Sequence, residues 1–159
     1  MLDSLRKSLL LIFLAALNGI ALAQLPESKI VASDAAANAD FGRTVAIDGD
    51  YAIVGAYSDD DGGTNSGSAY IFKRSGTEWR QEDKIVASDA AANDYFGWSV
   101  SIDGDYAIVG SIHDDDGGSS AGSAYIFKRS GTDWSQEDKI VASDAAQSDQ
   151  FGLNVDIDG

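Results

Sequence analysis

The sequence predicts an all-β fold in which four-stranded antiparallel meanders stack as the blades of a β-propeller. Three observations predict it: a repeat of 55 residues, four strand-like segments in each repeat, and turn residues between those segments. The segments are apolar toward the interior and charged toward one edge, which is the pattern of a propeller blade. The single proline and the 17 glycines also suit a chain of tight hairpins.

The repeat is visible directly in the residues. The hexapeptide Lys-Ile-Val-Ala-Ser-Asp begins at residues 29, 84 and 139, and residues 29–83 match residues 84–138 at 42 of 55 positions. Such near-identity indicates a recent duplication, so a shared residue is not thereby a functional one. The period is too long for a β-helix, and the residues lack the 3.6-residue periodicity of a helical solenoid.

Each repeat contains four predicted strands. The first alternates in character, with Phe41, Val45 and Ile47 on one face. The second is apolar on both faces, as expected for a strand buried within a stack of sheets. The fourth carries many charged residues, which fits an outer edge strand protected against edge pairing. In the first repeat the predicted strands cover residues 41–47, 51–55, 68–73 and 77–87.

An N-terminal signal peptide is predicted for residues 1–23. Arg6 and Lys7 precede an apolar stretch, and small residues place the cleavage site between Ala23 and Gln24. The apolar stretch is shorter than the roughly 20 residues that a membrane-spanning helix needs. We therefore expect a secreted or extracytoplasmic protein with no membrane span after the signal is removed.

The remaining residues, 24–159, cover about two and a half repeats, so the sequence predicts an incomplete ring. We expect either a truncated gene product or a ring assembled from several chains, with self-association through an open blade edge. The predicted parts are a closing outer strand at 24–33, a first blade at 41–87, a second blade at 96–142 and the start of a third at 151–159.

The composition excludes several classes of partner and site. The formal net charge is −15, so the chain lacks the basic surface that nucleic acid or an anionic membrane would require. Cysteine is absent, which excludes disulfide bonds, a thiol nucleophile and a cysteine-based metal site.

Residues 40–57 and 95–112 resemble FG-GAP repeats, the blade units that also occur in integrin α-chains. The shared motifs are Phe-Gly, the Ile-Val-Gly strand and the Gly-Ser-Ala-Tyr-Ile-Phe strand, and they recur in order through the chain. The resemblance implies a propeller and a role in adhesion or ligand binding. Two departures indicate a bacterial-type variant: the proline of the GAP tripeptide is missing, and the short Asp48-Gly49-Asp50 turn replaces the calcium loop of integrin repeats.

Two acidic loops are the candidate metal sites. Loops after the second and fourth strands of a meander lie on the same face, so the Asp-rich loops should form an acidic face. Hard cations such as Ca²⁺ prefer oxygen ligands in glycine-containing loops. Solvated turns remain the alternative, because Asp and Gly favour turns in any case. The candidate calcium ligands are Asp59, Asp60, Asp61, Asp114, Asp115 and Asp116.

No group in the sequence selects a catalytic site. His113 is the only histidine and Ser58 replaces it in the preceding repeat, so no repeated triad exists. We expect a binding or adhesion module that is not an enzyme, with a protein or glycan ligand at the acidic loop face. The first alternative is a structural repeat segment without a ligand, and the second is a propeller hydrolase or lyase.

The differences between the two repeats include residues that flank the acidic loops, such as 64–66 against 119–121. Trp98 replaces Arg43, and the residues at 56–58 differ from those at 111–113. Variable loops on fixed strands suit a binding face, although drift of exposed loops explains the same pattern. Trp79 and Trp134 recur at equivalent positions and are expected to be packing residues.

Overall fold

The computed structural model describes residues 29–159, so the predicted signal peptide and its cleavage site at Ala23 and Gln24 lie outside the described residues. Within this range the chain is all-β and forms two four-stranded antiparallel sheets. No helix among residues 29–159 is long and apolar enough to span a membrane. The strands are β1 Val45–Asp48, β2 Tyr51–Ala56, β3 Ser68–Ser75, β4 Glu78–Ile85, β5 Phe96–Asp103, β6 Tyr106–Ser111, β7 Ser123–Ser130 and β8 Asp133–Ile140.

Each sheet is a simple meander, since its four strands are neighbours in chain order. Asp48 faces Tyr51 at the end of the first hairpin, and Gly49 takes a positive φ of 52° in the turn between them. An Asp-Gly pair tolerates this backbone geometry, which explains why the turn recurs in the second repeat. The all-β fold class and its antiparallel blades are therefore confirmed.

The first strands of the two sheets differ in length although their sequences are similar. The prediction for the first repeat was 41–47, whereas β1 begins at Val45 and its counterpart β5 begins already at Phe96. The backbone N–H of Phe96 donates to the carbonyl of Ser66 at 3.0 Å, and Phe96 also bridges to Gly67 in the first sheet. A neighbouring sheet thus fixes the start of β5, and no described sheet precedes β1.

The two sheets stack face to face, and we call their contact the seam. Its core consists of side chains that are almost wholly inaccessible to water. Burying each large apolar side chain contributes about 1.5–3 kcal/mol, so the seam is the main source of stability in the described structure. The first sheet supplies Ile53, Ile71 and Ile85, and the second supplies Phe96, Val100, Ile102, Val109 and Phe127.

Close backbone approach at the seam explains the glycines of the repeat motif. Gly97 has a positive φ of 89°, and its carbonyl accepts a hydrogen bond from the Thr44 hydroxyl at 3.0 Å. A Cβ on Gly55 would collide with that same carbonyl oxygen. The Phe-Gly and Ile-Val-Gly motifs are therefore the two halves of the contact between blades.

The segments before β1 and after β8 form no strand. A closing strand was predicted for residues 24–33. In residues 29–33, the part that the structure describes, no strand forms and the backbone N–H of Ser33 donates to the Gln81 side chain at 2.9 Å. In residues 151–159, Phe151 donates to the carbonyl of Ala121 at 2.7 Å and bridges to Gly122. Beyond the single bridge at Phe151, neither segment pairs with a strand among residues 29–159.

Candidate functional site

The loops that follow the second and fourth strands of the sheets meet on one side of the molecule, which we call the loop face. It comprises residues 57–67, 86–95 and 112–122. Loops of the two sheets contact each other across the seam, since the backbone N–H of Asn93 donates to the carbonyl of Thr64 at 2.8 Å. The acidic loops named from the sequence lie on this face.

A lysine from the fourth strand lies in the middle of the first acidic loop. The Lys84 ammonium contacts Asp34 at 2.7 Å, Asp61 at 2.5 Å and Asp59 at 3.3 Å. The Lys84 side chain is only 17% exposed, and that of Asp59 is 5% exposed. We call Lys84 and these three aspartates the first lysine cluster.

The second sheet repeats the arrangement with its own residues. The Lys139 ammonium contacts Asp89 at 2.7 Å, Asp114 at 2.8 Å and Asp116 at 2.6 Å. These four residues form the second lysine cluster. Because three carboxylates surround one ammonium group, each cluster retains a net negative charge.

A buried tyrosine completes each cluster. The Tyr70 hydroxyl donates toward Asp34 at 2.9 Å and Asp59 at 3.1 Å, and Tyr125 makes the equivalent contacts. Burial raises the pKa of Tyr70 to about 12, so the hydroxyl remains a donor at physiological pH. Burial acts to lower the pKa of Lys139, but the hydrogen bonds that its ammonium donates to Asp114 and Asp116 outweigh this effect, and the net pKa is raised.

The structure divides the six predicted calcium ligands into two groups. Asp59, Asp61, Asp114 and Asp116 contact the lysines, whereas Asp60 and Asp115 do not belong to the lysine clusters. The Asp60 carboxylate accepts the backbone N–H of Asn65 at 2.7 Å, and Asp115 accepts that of Ser120 at 2.6 Å. These two middle aspartates therefore brace the turn of the loop.

The sequence placed the loops of Asp34 and Asp89 on the same acidic face but did not select these aspartates as ligands, and it did not identify the two lysines. Asp34 and Asp89 lie in the loop before the first strand, and Lys84 and Lys139 lie on the fourth strand. All four belong to the recurring hexapeptide, which begins with Lys and ends with Asp. The exact recurrence of this hexapeptide was the one signal in the sequence that pointed to these residues. It did not show which residues meet, because the lysine and the aspartate of one cluster come from different copies of the hexapeptide.

The carboxylate oxygens of the second lysine cluster are ligands of the type that a divalent cation prefers, but an ammonium group already lies among them. Carboxylate oxygens of Asp89, Asp114 and Asp116 lie within 4.8 Å of one another, and Ca²⁺ takes oxygen ligands of this kind. The Lys139 ammonium lies among the same oxygens. A metal ion could enter only if this ammonium moved away.

A second group of side chains meets where the seam reaches the loop face, and we call it the seam cluster. Its members are partly exposed and come from both sheets. The Arg43 guanidinium stacks over the rings of Trp98 at 4.6 Å and Tyr57 at 5.0 Å. The Tyr95 ring lies 5.6 Å from that of Tyr57 and 4.8 Å from that of His113, between ring centres.

The seam cluster is built from positions at which the repeats differ. In the following repeat, Ile112 replaces Tyr57, Gln150 replaces Tyr95 and Leu153 replaces Trp98. The aromatic surface is therefore a property of this one seam and not of the repeat framework. The sequence had marked Trp98 and residues 111–113 as variable, but only the fold brings them together.

A buried carboxyl group, that of Asp94, lies beside the seam cluster. Asp94 is 6% exposed, and its carboxylate accepts the backbone N–H of Ala91 at 2.8 Å. Burial, together with the negative charges of Asp114 and Asp115, raises the pKa of Asp94 to about 6. Burial is the larger cause, and the carboxylates of Asp114 and Asp115 add negative charge close to Asp94.

Comparison with known proteins identifies the repeat. A family model described as FG-GAP repeat matches residues 26–72, 79–127 and 134–159. A search of curated proteins finds no match. The matched segments contain the Phe-Gly and Ile-Val-Gly motifs that form the seam, and they cover most of the chain. The chain belongs to the FG-GAP repeat family.

Proposed function

We propose that the protein is an extracytoplasmic binding module without catalytic activity, which holds a protein partner against its loop face. The seam cluster carries this proposal. Its aromatic and guanidinium groups gather at the positions where two otherwise similar repeats differ. Binding residues are commonly placed on variable loops of a rigid scaffold, and this cluster has that placement.

The composition of the seam cluster favours a protein ligand. Tyr, Trp and Arg are the residues most enriched at the energetic centres of protein interfaces. The rings of Tyr57 and Trp98 pack edge to face at 5.0 Å between centres. Side chains held in this way lose little conformational freedom on binding, which lowers the entropic cost of association.

The charge of the loop face favours a partner with a basic surface. Each lysine cluster retains a net negative charge, and Asp60 and Asp115 add two exposed carboxylates. Complementary charge accelerates encounter and disfavours acidic competitors. The predicted signal peptide supports a location in which such a partner is met outside the cytoplasm.

The absence of catalysis is also part of the proposal. General acid–base chemistry needs carboxyl groups that are free to exchange protons with a substrate. The buried loop carboxylates Asp59 and Asp114 are instead engaged by lysine and tyrosine side chains. Their arrangement resembles an internal support for the loops more than an acid–base pair.

Selection from a displayed random-peptide library on the immobilised protein tests the proposed function. We expect enrichment of basic peptides whose affinity falls about tenfold or more in the variants Tyr57→Ile, Tyr95→Gln and Trp98→Leu. Each variant carries the residue of the next repeat, Ile112, Gln150 or Leu153, so each is compatible with the blade. Surface plasmon resonance measures the affinities.

The matched control is Tyr106→Leu, which removes an exposed ring stacked by Lys128 at 5.1 Å, at the start of β6 and outside the loop face. Peptide affinity should not change in this variant. Failure to enrich peptides would contradict the proposal, as would wild-type affinity in all three variants Tyr57→Ile, Tyr95→Gln and Trp98→Leu. A neutral oligosaccharide panel is screened in parallel, and cluster-dependent binding there would replace the protein partner with a glycan.

A further inference from the structure

We propose that Lys84 and Lys139 are the built-in cations of the acidic loops, and that these loops take no divalent metal ion while the lysines are in place. The inference is independent of the proposed partner, because it concerns how the loops are held and not what they bind. It assigns to two lysines the task that a metal ion performs in many acidic loops.

The geometry matches the chemistry of a primary ammonium group. A lysine ammonium has three N–H donors and no acceptor. Lys139 meets three carboxylates at 2.6–2.8 Å, one from each of Asp89, Asp114 and Asp116. Every donor of the ammonium can therefore be matched with a separate carboxylate.

Each lysine ties together segments that are distant in sequence. Lys139 lies on β8, Asp114 and Asp116 lie in the loop after β6, and Asp89 lies in the loop that precedes β5. The Lys139–Asp89 contact spans 50 residues. A single ammonium group thus links three elements of the blade, as a multidentate metal ion would.

The same arrangement occurs in both sheets. Lys84 contacts Asp34, Asp59 and Asp61, and Tyr70 contacts two of these carboxylates, as Tyr125 does in the second cluster. The arrangement is thus part of the repeat framework and does not depend on the residues that differ between the two repeats. An accidental surface ion pair would have exposed partners, whereas Asp59 and Asp114 are buried.

A metal ion and the ammonium would compete for the same oxygens. Ca²⁺ binds oxygen at about 2.3–2.6 Å, which would place it where the Lys139 nitrogen lies. The Lys139 side chain is 16% exposed and that of Asp114 is 4% exposed, so displacing the lysine would break ion pairs that are largely shielded from water. Removing one partner of a buried charge pair is strongly unfavourable, so the displaced state is disfavoured.

Thermal unfolding with and without calcium tests the inference. For the purified wild-type protein we expect the same Tm in CaCl₂, in NaCl of equal ionic strength and in EDTA. Lys139→Met should lower the Tm by about 5 °C or more, because three carboxylates lose their cation. Lys139→Ala should also be destabilised, but the space it opens should let Ca²⁺ raise its Tm more than matched NaCl does.

The matched control is Lys128→Met, which removes the same charge from a half-exposed lysine paired with Glu137 at 3.5 Å. Its Tm should change by less than about 2 °C and should not respond selectively to Ca²⁺. A Ca²⁺-selective rise in the wild-type Tm would overturn the inference, as would a Lys139→Met effect no larger than the control. If Lys139→Met does not fold, calorimetric titration of the wild type with CaCl₂ decides, since measurable Ca²⁺ binding contradicts the inference.

Discussion

Asp94 shows how one residue can work against the stability of the blade that contains it. Ala39 occupies the equivalent position in the first repeat and Asp149 that in the third. Asp94 is buried beside the acidic loop of the second sheet, and its pKa is raised to about 6, chiefly by burial. At neutral pH this carboxyl group is ionised in a place that disfavours its charge.

A pH-dependent gain in stability is expected for Asp94→Asn. The folded pKa lies above the unfolded value, so the folded state binds more protons between about pH 4 and 6 and loses stability as the pH rises through that window. Asn keeps the acceptor for the Ala91 N–H but carries no charge. We expect a gain of up to about 3 kcal/mol at pH 8 that disappears below about pH 4.

Urea unfolding of Asp94→Asn at pH 4 and pH 8 measures this gain. Asp149→Asn is the control, because Asp149 accepts the Ala146 N–H at 2.8 Å in the same way but is exposed. A gain of equal size at both pH values would show that the charge of Asp94 is not its cause.

The seam between sheets is the element that the repeat motif builds. Gly42 and Gly97 are the same motif position in successive repeats, with φ angles of 93° and 89°. They differ in surroundings: a Cβ on Gly97 would collide with the carbonyl oxygen of Ser68, whereas a Cβ on Gly42 would meet no atom within 4 Å. Substituting alanine at both positions therefore distinguishes two costs: backbone strain, which both variants have, and steric conflict at the seam, which only the Gly97 variant has.

Gly97→Ala should be much more damaging than Gly42→Ala. A positive φ alone costs an alanine about 1–2 kcal/mol, and both variants bear this cost. Only Gly97→Ala must also push the two sheets apart, so we expect a total loss of about 3 kcal/mol or more. Chemical denaturation of both variants measures the difference, and equal losses would show that the sheets do not need to approach so closely.

The described structure as a whole has two exposed apolar faces. The equivalent face of the other repeat is buried in the seam in each case. Ile47 is 65% exposed while its counterpart Ile102 is 5% exposed. On the opposite side, Ile140 is 38% exposed while its counterpart Ile85 is 3% exposed. Each face has the shape and chemistry of one half of the seam, and matching apolar faces favour association.

We expect the purified chain to self-associate through these faces, and Ile140→Lys to reduce the association. The control is Val141→Lys. Val141 is 44% exposed, and its counterpart Val86 stays 40% exposed beside the seam, so a neighbouring blade does not cover this position. Sedimentation velocity over a range of concentrations measures the effect. A wild type that is monomeric throughout, or equal effects of the two variants, would contradict this expectation.

The sequence by itself determined the all-β class, the four strands of each repeat and their hairpin turns. These features depend on local rules: alternation with a period of two, Asp-Gly turns and charged edge strands. It also located the acidic loops, because Asp and Gly can be recognised without knowing their neighbours. The boundaries of β2, β3 and β4 lie within two residues of the prediction for the same reason.

The tertiary structure decided what those residues do. Lys84 meets Asp34 across 50 residues and Asp59 across 25, and no local pattern pairs them. Arg43, Tyr57 and Trp98 become one surface only when two sheets stack. Val45 and Val100 have nearly identical sequence neighbours, yet one is 66% exposed and the other 9%. Burial depends on whether another sheet packs against the strand, which is a property of the assembled fold and not of the strand.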